Sequence, residues 1–178
     1  THLGFQADVI VWDMDTLEIV HRLRLHKVRV EGVAFSCNDK WLATIGGEDD
    51  NSLVVWNLET GKAVCGSPAA NDAVHAVRFA RNDEFTIITA GKENFRVWQF
   101  DLANHKVRPT DCNLGKLQRT VKTLWVDEMD EFCYAGTASG DILKVSMRTK
   151  LFKHIGPRTR MPQGVVAINA TPDGELLL

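Results

Sequence analysis

Tryptophan closes three short apolar runs at nearly equal spacing, and that spacing constrains the fold more than any other feature. The runs are Val9-Ile10-Val11-Trp12-Asp13, Leu53-Val54-Val55-Trp56-Asn57 and Phe95-Arg96-Val97-Trp98-Gln99, with 44 and then 42 residues between tryptophans. A fourth run, Ile142-Leu143-Lys144-Val145-Ser146, comes 47 residues later and carries Val145 in place of Trp. The intervening segments repeat as well. Val30–Ser36 recurs as Val74–Ala80 and, more loosely, as Val121–Asp127. Each is followed by a polar turn and a second apolar run (Trp41–Ile45, Phe85–Thr89, Phe132–Ala135). Gly-rich turns then lead into the Trp-terminated run. Short runs punctuated by Gly, Asn and Asp predict β-strands, and a fixed period of this length predicts one supersecondary unit stacked several times. No segment of ten or more residues sustains a helical period, so the expectation is an all-β protein with almost no helix.

A period of about 40–45 residues ending in Trp-Asp is the signature of WD-repeat β-propellers, whose blades are four-stranded sheets. The expected architecture is therefore a WD-repeat β-propeller fragment with three complete four-stranded blades and a partial blade at each end. The sequence starts inside a third strand (Ala7–Trp12) and stops inside a second strand at Leu176-Leu177-Leu178. Propellers close into rings and protect their strand edges, so residues 1–178 read as part of one propeller within a longer chain.

One repeat carries four polar residues placed to bond to one another. His26 precedes the Val30 strand, Thr44 lies in the next strand, Asp50 in the following turn, and Trp56 at the end of the third strand. They are expected to form a buried chain within one blade: Trp indole, Thr hydroxyl, imidazole and carboxylate, the last fixing the histidine tautomer. Ser36 with His26 and Asp50 has the composition of a hydrolase triad. A Ser at a strand edge is not on a strained strand-to-helix turn, however, and a structural role explains all four network residues together. In the later repeats Ala70 and Leu117 stand where His is expected and Lys92 where Asp is expected, so the chain of bonds should be absent there.

The remaining chemistry is mostly exclusion. A net charge of −2 supplies no positive field for nucleic acid or an anionic membrane. No apolar run approaches the roughly 18 residues needed to span a bilayer. Thr1-His2-Leu3-Gly4-Phe5 has no signal-peptide pattern. Cys37, Cys65, Cys112 and Cys133 are widely spaced without histidine clusters, which argues against zinc and for reduced, buried thiols. The acidic clusters Glu48-Asp49-Asp50 and Asp127-Glu128-Met129-Asp130-Glu131 lack an EF-hand pattern and read as turns. No phosphate-binding loop is present. No catalytic residue, metal ligand, cofactor or small-molecule substrate is expected.

The one charge asymmetry is late in the chain. No acidic residue falls between Asp141 and Asp173, whereas Lys144, Arg148, Lys150, Lys153, Arg158 and Arg160 do. Most such runs simply face water. The sharper expectation is that Lys150, Lys153, Arg158 and Arg160 contact an acidic partner surface. No aromatic residues interleave with these cations in sequence, which disfavours nucleic acid.

Several runs go beyond any general WD pattern: Ala7–Asp13, Gly46–Asp50, Cys65-Gly66-Ser67-Pro68-Ala69-Ala70, Gly140-Asp141-Ile142-Leu143-Lys144 and Arg148–Leu151. With them the chain resembles the cilia- and flagella-associated protein 52 family, also called WD repeat-containing protein 16, along nearly all its length. The resemblance implies a chain with two successive propellers, this stretch belonging to the first. It also implies a non-catalytic scaffold in the cytoskeleton of the ciliary or flagellar axoneme. There it would be a microtubule inner protein, bound to tubulin and other luminal proteins near the inner junction of the B-tubule. The alternative is a soluble cytoplasmic adaptor that captures peptide motifs of protein partners, since the fold alone does not fix function. An adaptor would line its central mouth with arginine and aromatic side chains; a scaffold would bind through rims and outer strands.

Overall fold

The computed structural model describes residues 6–171 and 175–177. The extreme ends named above, Thr1–Phe5 and Leu178, lie outside the described residues. The described chain contains strands and turns but no helix. Two strands, β1 (Gln6–Trp12) and β2 (Ile19–Lys27), form an antiparallel pair. Three four-stranded sheets follow. The first is β3 (Val30–Phe35), β4 (Trp41–Gly46), β5 (Ser52–Asn57) and β6 (Lys62–Pro68). The second is β7 (Val74–Phe79), β8 (Thr86–Gly91), β9 (Phe95–Asp101) and β10 (Lys106–Asp111). The third is β11 (Val121–Val126), β12 (Phe132–Thr137), β13 (Ile142–Ser146) and β14 (Phe152–Gly156). A short pair, β15 (Asn169–Ala170) and β16 (Leu176–Leu177), ends the order. Within each sheet every neighbour is antiparallel and consecutive in sequence, as hairpin connections require.

The strands read as continuous apolar runs because both faces of a blade are covered. All six residues of β4 are buried, and Leu53, Val54, Val55 and Trp56 of β5 are buried with them. One cluster joins Ala43, Ile45, Leu53 and Val55 of the first sheet to Val77, Ile87, Trp98 and Phe100 of the second. Another joins Ile88, Phe95 and Val97 of the second sheet to Leu124, Ala135, Leu143 and Val145 of the third. A third packs Leu23, Val9 and Val11 of the edge pair on Leu42, Val54 and Trp56. The core is thus a set of seams between sheets, each stabilised at roughly 25 cal/mol per Å² of apolar surface buried. The other side of the edge pair and the facing side of β3 expose Trp12 and Phe35 at 53% and 52%.

Polar turns reinforce the seams at one rim. The Trp41 indole N–H donates to Glu84 Oε2 at 2.7 Å, and Asn38 Nδ2 donates to the same oxygen. One blade further on, Asp130 accepts the backbone N–H groups of Arg81 and Asn82 at 2.7 and 2.8 Å. Asp127 accepts those of Glu131 and Phe132. These carboxylates of the second acidic cluster are engaged in turn bonds.

Seam packing makes a specific mutational prediction. Ile87→Ala, at a fully buried position shared by two sheets, is expected to cost about 2–5 kcal/mol. Met14→Ala, in an exposed turn, should cost under about 0.5 kcal/mol. Thermal or urea unfolding of the two variants compares them directly.

Candidate functional site: the polar links between blades

The four network residues meet, but not inside one blade. His26 lies on β2 of the edge pair, Thr44 on β4 and Trp56 on β5 of the first sheet, and Asp50 in the β4–β5 turn. The Trp56 indole N–H donates to Thr44 Oγ1 at 2.9 Å. Thr44 Oγ1 lies 2.6 Å from His26 Nε2, and His26 Nδ1 lies 3.1 Å from Asp50 Oδ2. The carboxylate selects the Nδ1–H tautomer, which leaves Nε2 to accept the Thr44 proton. Asp50 also accepts the Lys27 N–H at 2.7 Å and the Ser52 N–H and hydroxyl. The expectation of an intra-blade network is therefore corrected: the bonds run across a seam and tie the outer strand of one sheet to the next. The reason is periodic. His26 precedes its own sheet in sequence, so it sits on the strand before it.

With both imidazole nitrogens committed, His26 has no free nitrogen to act as a base. Ser36 bonds to Asn38 Oδ1 at 2.8 Å and accepts the Trp41 N–H at 3.0 Å, which makes it a turn residue. Burial raises the pKa of Asp50, but the Lys27 N–H, the facing His26 imidazole and the Ser52 bonds outweigh it and hold the carboxyl below its ordinary value.

The second seam keeps half the chain of bonds. The Trp98 indole N–H donates to Thr89 Oγ1 at 2.8 Å, both residues fully buried, while Ala70 and Lys92 occupy the other two places. Different side chains hold the connector there. Asn51 Nδ2 donates to the carbonyls of Ala70 and Asp72, and Arg96 Nη1 donates to that of Ala69 at 2.6 Å. A concavity of about 370 Å³ remains between Glu48, Asn51, Ala70, Asp72 and Lys92. Its one ion pair, Lys92–Asp72 at 3.5 Å, is solvent-exposed.

The third sheet replaces the device altogether. Ala135 and Val145 stand in register with Thr44 and Trp56. Instead Asp141, 1% exposed, accepts the Thr137 hydroxyl at 2.5 Å and the Arg119 Nε–H at 3.0 Å. Arg160 Nε lies 3.3 Å from the same carboxylate. The sequence reading missed this cluster because Arg119 and Asp141 are 22 residues apart and match no repeat position. The only signal was an Asp beside the Gly140 turn in the one blade that lacks its Trp.

The four candidate partner-contacting cations do not form one patch. Lys150 turns its ammonium onto the Met147 carbonyl, and burial lowers its pKa. Arg160 is drawn to Asp141, although 57% of its side chain stays exposed. Lys153 and Arg158 are exposed but lie on either side of the end of β14, Lys153 near its start and Arg158 in the loop beyond. β14 itself is five residues, or roughly 17 Å, long. The apparent lack of aromatic interleaving also changes in space: Lys144 Nζ lies 3.9 Å above the Phe132 ring.

Cys37 is exposed, against the expectation of buried thiols throughout. Burial pushes the Cys65 and Cys112 thiols up to about 11 and Cys133 higher still, so these three are poor nucleophiles at neutral pH.

Four-stranded blades joined by a Trp–Thr–His–Asp chain of bonds define a WD-repeat β-propeller. The family described as WD domain, G-beta repeat matches residues 17–57, a span that begins just before β2 and so includes the seam rather than one blade. The Cps50 (Swd1) β-propeller domain of Myceliophteria thermophila superposes with a TM-score of 0.78 over 96% of this chain and 56% of that one. At 14% identity, that likeness concerns the fold alone. Closer relatives are the cilia- and flagella-associated protein 52 of Chlamydomonas reinhardtii, 43% identical, and that of Homo sapiens, 44% identical, each matched over all of this chain. The chain is similar to cilia- and flagella-associated protein 52 along its whole length and spans 29% of the length of those two relatives.

Two outcomes follow for the links. His26→Ala leaves Thr44 and Asp50 without their partner and should cost about 1–3 kcal/mol in urea unfolding. The folded-state pKa of Asp50 is depressed, so its contribution is present above the unfolded value near 4 and is lost as pH falls through the folded one. Wild-type stability should therefore drop across that acid range more steeply than that of Asp50→Asn.

Proposed function

We propose that the protein is a non-catalytic scaffold of ciliary and flagellar doublet microtubules. On this reading it binds tubulin and other luminal proteins near the inner junction of the B-tubule. The supporting observation is the match over the whole chain to relatives named cilia- and flagella-associated protein 52. The described stretch would then belong to the first of two propellers. Its chemistry is compatible with a passive role, because His26 and Asp50 are bonded to each other in a seam and Ser36 is held in a turn.

The N-terminal ends of β3, β7 and β11 bear on the peptide-adaptor alternative. They carry Arg29, Glu31, His75 and Lys122, of which Arg29 and Glu31 pair at 2.5 Å. His75 faces Glu31 at 3.8 Å, and burial, followed by the Lys122 charge, lowers its pKa. Among the described residues this rim has no aromatic anchor, and its Arg29 is paired with Glu31, which favours binding through broad outer surfaces. Of the four candidate cations, Lys153 and Arg158 are the exposed ones without an ion pair among the described residues.

Tagged full-length protein should co-purify with detergent-stripped doublets, and absence from them would favour the soluble adaptor. Charge reversal at Lys153 and Arg158 is expected to weaken incorporation into doublets in a null background, more so at low salt, with stability changed by under about 0.5 kcal/mol. Arg160→Glu should instead destabilise the fold, because it sets a second carboxylate beside Asp141.

A further inference from the structure

One row of side chains crosses each blade at the same height and faces the following blade. In the first sheet the register aligns Ala34, Ala43, Val55 and Cys65. In the second it aligns Arg78, Ile88, Val97 and Thr110. The middle pairs, Ala43 with Val55 and Ile88 with Val97, are buried in the seams with the next sheet. The same row in the third sheet is Trp125, Tyr134, Lys144 and His154. An ammonium group thus stands where the other two blades place valine.

The Lys144 ammonium is held over aromatic faces, 3.9 Å from the Phe132 centroid and 5.4 Å from that of Tyr134. Tyr134 packs in turn on Trp125 at 5.6 Å. Leu124, Ala135 and Leu143, which alternate with this row, fill the seam with the second sheet, so the row points to the opposite side. The chain after β14 already turns onto that side. Val165, 2% exposed, lies so close to Gly136 that a Cβ there would meet its side chain, and its N–H donates to the Thr137 carbonyl at 2.8 Å. Among the described residues, Lys144 has no ion-pair partner. The charged groups bordering the row are His154, Arg81, which lies 5.9 Å from the Trp125 ring centroid, and, around Phe132, Glu131, Arg148 and Lys153.

We propose that this face seats a further sheet of the full-length protein, and that the strand packed on Lys144 carries a carboxylate paired with its ammonium. The relatives are more than three times as long as this chain, so residues enough for such a sheet exist in them. A seam closed with aliphatic side chains, like the other two, would strip water from a cation left with only ring faces as partners. A carboxylate restores the balance, and removing one member of a buried pair is strongly destabilising.

The test uses the full-length protein and its variants Lys144→Arg and Lys144→Met. Arginine keeps the charge, while methionine keeps the apolar length and a sulfur that contacts aromatic rings favourably, so the pair isolates the charge. Lys144→Arg is expected to melt within about 2 °C of wild type and Lys144→Met several degrees lower, since each kcal/mol shifts a large domain by about 2–4 °C. Failure of the Met variant alone to give soluble protein supports the proposal in the same sense. A Met variant that melts at or above the wild-type midpoint overturns it, because the ammonium would then be an unpaired burden. Equal losses in both variants, in midpoint or in soluble yield, also overturn it, because the site would then be selecting shape rather than charge.

Discussion

Apolar burial in this protein takes place between sheets. A blade of four short strands has two apolar faces and is too thin to enclose a core, so each side chain that leaves water does so against the neighbouring blade. Trp98 shows the dependence: it belongs to the second sheet but is buried among Ala43, Ile45 and Val55 of the first. Stability is therefore a sum over neighbouring contacts, as in other repeat architectures. The angle between adjacent blades has to be held if those contacts are to persist.

Polar side chains hold that angle, and each seam uses a different set. The first has the complete Trp56–Thr44–His26–Asp50 chain. The second keeps Trp98–Thr89 and secures the connector carbonyls with Asn51 and Arg96. The third gathers Arg119, Arg160 and Thr137 around buried Asp141. A shared physical requirement links the three. The strand that leaves one sheet and enters the next passes through a partly buried corner, where its backbone and charged groups must find partners. Many side-chain combinations meet that requirement, which is why the repeat can lose its signature residues and keep its geometry.

The same economy bears on function. Asp50, Asp130, Asp141, Lys150 and Arg160 all make bonds within the chain and are engaged there.

The sequence alone determined the strand order and the repeat, because both follow from local patterns: alternation, turn residues and the spacing of Trp12, Trp56 and Trp98. It also singled out His26, Thr44, Asp50 and Trp56, since four polar residues at repeat positions are legible without coordinates. It could not assign them to a seam, because a hydrogen bond between sheets depends on how two blades are stacked rather than on the order of residues in either. Asp141 with Arg119 and Arg160, and the Lys144–Phe132 stack, were invisible for the same reason. The basic stretch, continuous in sequence, was separated because β14 extends between Lys153 and Arg158 while Lys150 and Arg160 turn onto partners of their own. Local propensity wrote the strands, while pairing across distances that the chain order does not encode decided which charges meet.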